Sequence, residues 1–81
     1  MKIVFTPLAA KAATEAPAAV QIALHKQLRF LAENLRHPSL RAKKYDEAQG
    51  RWQARVTRDW RFYFRIEGDT YVITEVMPHP K

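Results

Sequence analysis

Cysteine is absent from this 81-residue chain, and glycine occurs only twice, as Gly50 and Gly68. The first absence excludes disulfides and thiolate metal sites. The second excludes a glycine-rich loop that cradles nucleotide phosphates. No apolar run approaches the roughly 20 residues of a membrane-spanning helix. The N-terminus passes from Met1-Lys2 straight into the strand-like Ile3-Val4-Phe5 and lacks the pattern of a secretory leader. A cytoplasmic protein with no membrane partner is the expectation. Neither His25 nor His37 has a partner at metal-ligand spacing, so no metal and no other cofactor is expected. Acids are scarce as well: 8 face 14 lysines and arginines, giving a net charge of +6. That balance favours nucleic acid, an acidic protein or an anionic surface as partner.

The chain does contain enough apolar residues for a core: 47% of it, including four Phe, three Tyr and two Trp. Its length allows one domain, residues 1–81, of modest buried area. Ile3 to Thr6 reads as a short strand. Thr6 caps a first helix with Pro7 at its first position, where the missing N–H costs nothing. That helix covers Leu8 to Glu15, and Pro17 separates it from a second over Ala18 to Leu35. There Val20, Leu24, Leu28, Leu31 and Leu35 recur at helical spacing and form one stripe. Pro38 stops it. His37 to Gly50 reads as irregular and polar. Strands follow on either side of Thr57 to Asp59, and Glu67-Gly68-Asp69 signals a hairpin into a last strand, Thr70 to Met77. The expected fold class is α+β: an N-terminal strand, a two-helix hairpin, then a three-strand antiparallel meander (β-α-α-β-β-β). The lone first strand is expected at an edge of the sheet, beside one of the later strands.

Gly50 to Ile66 carries the strongest functional signal. Side chains alternate across a strand, so residues two apart share a face. Trp60, Phe62, Phe64 and Ile66 fall on one side, and Arg61, Tyr63 and Arg65 on the other. In the preceding strand Arg51, Gln53, Arg55 and Thr57 oppose Trp52, Ala54 and Val56. No acid lies between Arg51 and Arg58. The arginines suit phosphates, and Tyr63 or Trp52 suits stacking on a base, with RNA the leading ligand. A solvated sheet face that uses arginine for solubility is the alternative.

His79 stands between Pro78 and Pro80, just past the last strand. Histidine can give or take a proton, and its rigid flanks would hold it at one place. The segment Arg41-Ala42-Lys43-Lys44-Tyr45 reads as a basic loop, either solvated or extending the phosphate-binding surface, with its tyrosine an anchor to the core. Lys26, Arg29 and Glu33 read as a solvated helix face, with an acidic partner for Lys26 and Arg29 as the alternative.

The segment from Asn34 to Lys81 resembles the RelE/ParE superfamily of bacterial type II toxins. The resemblance rests on Asn34-Leu35-Arg36-His37-Pro38 ending the helical hairpin and on Leu40-Arg41-Ala42-Lys43-Lys44. It continues through Trp52-Gln53-Ala54-Arg55-Val56, Trp60-Arg61-Phe62-Tyr63-Phe64-Arg65-Ile66 and Glu75-Val76-Met77-Pro78-His79. It implies a toxin neutralised by a cognate acidic antitoxin. In RelE-like members the toxin enters the ribosomal decoding site and cuts mRNA, the 2′-hydroxyl attacking the adjacent phosphate. Carried over by position, Arg61 stabilises the transition state, Arg55 lies near the nucleophile, and His79 takes a terminal acid–base position. RNA contacts would come from Arg41, Lys43, Lys44, Arg51, Gln53, Tyr63, Arg65 and Lys81. The resemblance implies a metal-independent endoribonuclease. Gln53 stands where some members have lysine, and no tyrosine follows His79 where many nucleases of the group carry one. Both departures point to the alternative, a ParE-like non-enzymatic toxin that poisons DNA gyrase.

Overall fold

A computed structural model describes residues 1–79. It opens with β1 (Lys2–Phe5), continues through α1 (Pro7–Glu15) and α2 (Ala18–Glu33), and makes a single 3₁₀ turn at Pro38–Leu40. Four strands follow: β2 (Lys43–Asp46), β3 (Arg51–Thr57), β4 (Trp60–Glu67) and β5 (Thr70–Pro78). The sheet order is β1-β5-β4-β3-β2. β1 runs parallel to β5 at the edge, and the remaining pairs are antiparallel. The class is α+β, as expected, but the meander has four strands rather than three. Lys-Lys-Tyr-Asp has no apolar alternation to announce β2. It forms because its backbone pairs with β3, Lys43 opposite Gln53 and Lys44 opposite Trp52, at the solvated rim. Lysine-rich edges of this kind resist further strand addition.

Local chemistry explains the helix ends. The Thr6 hydroxyl accepts a bond from the Ala9 N–H, 3.2 Å, with Pro7 at the first turn. Gln21 Nε2 donates to the carbonyls of Thr14 and Ala16, 3.0 and 2.8 Å, and so ties α2 to the end of α1. α2 stops at Glu33, two residues short of the Leu35 its stripe suggests. Asn34 turns extended, φ −162°, and its side-chain oxygen accepts from the Arg36 N–H. That local bond offers the backbone an alternative to another helical turn.

Both helices lie on one face of the sheet, where Leu31, Leu40, Phe62, Phe64 and Ile73 are fully buried. Val20, Leu24 and Leu31 of the predicted stripe are buried, while Leu28 and Leu35 pack at its margin. The remaining buried position on α2 belongs to Gln27. Trp52 stacks on Phe64 on this same side, ring centroids 6.1 Å apart. The opposite sheet face is open.

Candidate nucleic-acid interface

The open face is assembled by register. Arg51 pairs with Arg65, Gln53 with Tyr63, and Arg55 with Arg61 across β3 and β4. Tyr63 and Arg61 in turn face Glu75 and Met77 of β5. A bulge makes this possible: Phe64 faces Ile73 while Tyr63 faces Glu75, leaving Thr74 extra. The Thr74 hydroxyl donates to the Tyr63 carbonyl, 3.3 Å. Past the bulge the alternation reverses, so Val76 enters the core and Glu75 and Met77 turn to the open face. Strict alternation from Tyr71 and Ile73 sends Glu75 inward, which is why sequence reasoning misses it.

Glu75 changes the electrostatics. Its carboxylate forms an ion pair with Arg51, and Glu67 forms one with Arg65. Two of the four arginines expected to be unbalanced are therefore neutralised. The Arg51 guanidinium lies 4.6 Å from the centroid of Tyr63 and 5.7 Å from that of Tyr45. Tyr63 is only 7% exposed and sits in a closed cluster: its hydroxyl accepts from Gln53 Nε2 at 2.9 Å, and Tyr45 meets it edge-on at 5.4 Å. A base cannot reach its ring. Trp52 faces the helices. The accessible aromatic is Tyr45, 57% exposed, which sequence reasoning treats as a loop anchor. Gln53, itself 7% exposed, holds Tyr63 rather than reaching outward.

Tyr45, Arg51, Gln53, Tyr63 and Glu75 line a groove of about 390 Å³ with Met77 and His79. His79 is anchored through its backbone, its N–H donating to the Asp59 carbonyl at 2.7 Å. One carboxylate, Glu75, and one imidazole, His79, thus share the groove. Arg61 stands beside it. Its Nη1 donates to the carbonyls of Thr57, Trp60 and Arg58 at 2.7, 2.9 and 3.2 Å, which closes the β3–β4 turn. Burial lowers the Arg61 pKa, the positive charges of Arg55 and Arg41 lower it further, and Tyr63 and Asp59 oppose the shift. A guanidinium still remains cationic at any physiological pH.

Arg55 and Arg41 line a second groove, of about 450 Å³, beside α2. Arg41 ends the 3₁₀ turn in the left-handed region, φ 46°, at a cost of about 1–2 kcal/mol for a residue with a β-carbon. Lys43 shares the open face opposite Gln53. Lys44 does not: it pairs with Trp52 and its ammonium lies 5.8 Å from that ring, on the helix side. Lys81 lies outside the described residues. Among the described residues no group of three or more His, Cys, Asp or Glu side chains could hold a metal ion. No helix among them is long and apolar enough to cross a membrane.

No protein-family model and no curated protein sequence matches this chain. Solved structures do match it in fold. A YoeB/ParE toxin from Agrobacterium tumefaciens superposes with a TM-score of 0.82 at 17% identity, over 99% of this chain and 100% of that one. The RelB–RelE antitoxin–toxin complex from Methanococcus jannaschii gives 0.78 at 16%, over 93% and 88%. The toxin–antitoxin complex RelBE2 from Mycobacterium tuberculosis gives 0.77 at 22%, over 96% and 96%. The fold of this chain is that of the YoeB, RelE and ParE toxins.

Proposed function

We propose that this protein is the toxin of a type II toxin–antitoxin system and acts as a ribosome-dependent mRNA endonuclease. The observation that carries the reading is the open sheet face. On it, Arg55 and Arg61 stand in register beside a groove that holds a carboxylate, an imidazole and an exposed tyrosine. Cleavage by an internal 2′-hydroxyl needs a base for that hydroxyl, cations for the charge that builds on the phosphate, and a donor for the leaving 5′-oxygen. The 2′-oxygen bonds to phosphorus as its proton passes to the base. The bond to the 5′-oxygen breaks as that oxygen takes a proton from the acid. Arg61 and Arg55 supply the cations. Glu75 and His79 flank the groove as the proton acceptor and donor. Tyr45 offers a stacking surface.

A cognate antitoxin would bring acidic side chains to the unpaired cations, or an extended segment to the edge of the sheet at β1. The neighbours crystallised with RelB share this architecture, which supports the partner class. One observation favours poisoning of DNA gyrase without cleavage: Gln53 is buried against Tyr63, and the one cation over that ring, Arg51, is paired with Glu75, so no free cation stands at the centre of the face among the described residues.

Pulsed expression followed by primer extension on a reporter mRNA separates the two. New ends inside translated codons, absent with Arg61→Ala, are expected. Growth arrest with intact mRNA and loss of supercoiling would instead establish the gyrase reading.

A further inference from the structure

Beside Arg55, the second groove carries two cations that the chemistry above does not use. Lys26 comes from α2, Arg41 from the end of the 3₁₀ turn and Arg55 from β3, and all three line it. Among the described residues the ion pairs are Arg51–Glu75 and Arg65–Glu67, so none of these three cations has a carboxylate partner. The groove's polar residues already satisfy each other. Gln27 Nε2 donates to the carbonyls of Ser39 and Arg55 at 3.0 and 2.7 Å, and the Ser39 hydroxyl donates to Gln27 Oε1 at 2.9 Å. What remains for a ligand is positive charge on a firm, hydrogen-bonded base. Arg41 lines the groove from a left-handed backbone position that residues other than glycine rarely adopt.

The groove adjoins the open face at Arg55, the cross-strand partner of Arg61. A strand with one phosphate at Arg61 would therefore carry a neighbouring one toward Arg55, Arg41 and Lys26. Guanidinium groups match phosphate oxygens with paired N–H donors, and lysine adds a point charge.

We propose that the groove lined by Lys26, Arg41 and Arg55 binds an RNA phosphodiester other than the one that is cut. This rests on the endonuclease reading and adds to it an anchoring site on α2. The phosphodiester belongs either to the mRNA strand or to the RNA of the ribosome.

The test measures binding of the purified full chain to an uncleavable 2′-O-methyl RNA and, separately, to vacant ribosomes without mRNA. The variants are Lys26→Ala, an exposed position, and Arg41→Gly, which suits the left-handed backbone. Each lost phosphate contact should shrink the ratio of affinities at about 50 and 200 mM salt by about two- to threefold. Lys26→Arg should restore it, and thermal unfolding should be unchanged for Lys26→Ala. Loss in the oligonucleotide arm assigns the phosphodiester to mRNA, and loss in the ribosome arm alone assigns it to ribosomal RNA. Wild-type binding with variants that match it at both salts overturns the groove but leaves the nuclease standing. No wild-type binding in either arm overturns both. Variants that keep RNA binding but lose a polyglutamate peptide would make the groove a site for an acidic protein segment and overturn the proposal.

Discussion

A buried hydrogen bond at the centre of the open face joins Gln53 to Tyr63, and the Arg51 guanidinium covers the tyrosine ring. Removing one partner leaves the other unsatisfied in a dry site, whereas removing both does not. Tyr63→Phe is expected to cost about 1–3 kcal/mol, and Gln53→Leu a similar amount. The double variant should cost clearly less than their sum, as read from urea unfolding of the four proteins. Strict additivity would show that the pair is not coupled. Arg61 acts differently, since its Nη1 holds three carbonyls of the β3–β4 turn while its backbone stands in register with Met77 at the groove's edge. Arg61→Lys keeps the charge and loses the planar fork. It should lower cleavage of ribosome-bound mRNA by about 10-fold or more while lowering stability by only about 1–2 kcal/mol, because the ammonium retains part of the bonding to the turn. A fully active Arg61→Lys variant would reduce this arginine to a source of charge alone.

At the scale of elements, α2 is tied to β3 and to the 3₁₀ turn by one side chain, Gln27. Gln27→Leu keeps the bulk but strands two carbonyls, and should lower stability by about 1–3 kcal/mol in thermal or urea unfolding. Thr6→Ala removes the cap of α1 and should cost about 1 kcal/mol by the same measurement. A loss well below that would mean solvent replaces the cap. These elements are legible in the sequence to different degrees, for physical reasons. α1, α2 and the strands β3 to β5 announce themselves by periodicity, capping residues and the Glu67-Gly68-Asp69 turn. β2 does not, because an edge strand made of Lys43, Lys44, Tyr45 and Asp46 has no buried side to encode. Glu75 is hidden by the bulge at Thr74, which reverses the alternation that assigns faces. The inaccessibility of Tyr63 is hidden as well, since it depends on Tyr45 and Arg51 arriving from other strands. For Arg55, Arg61 and His79 it is the position that is legible: spacing puts the two arginines on the sheet face away from the helices and His79 just past the last strand.

At the scale of the molecule, the charge of the open sheet face is graded along the strands. Along the β3–β4 pair, Arg51 and Arg65 are neutralised at one end by Glu75 and Glu67, while at the other Arg55 and Arg61 have no ion-pair partner among the described residues, and Arg55 adds its charge to that of Lys26 and Arg41. Such a gradient orients a polyanion as well as attracting it. The central claim is that the bound polyanion is mRNA and that it is cut. The most direct measurement maps 5′ ends in a reconstituted translation reaction, using purified wild-type protein and His79→Ala. The proposal predicts new ends within the translated frame, dependent on ribosomes and reduced by about 10²-fold or more in the variant, the usual range for loss of a general acid or base. Halted translation with every message intact would contradict it.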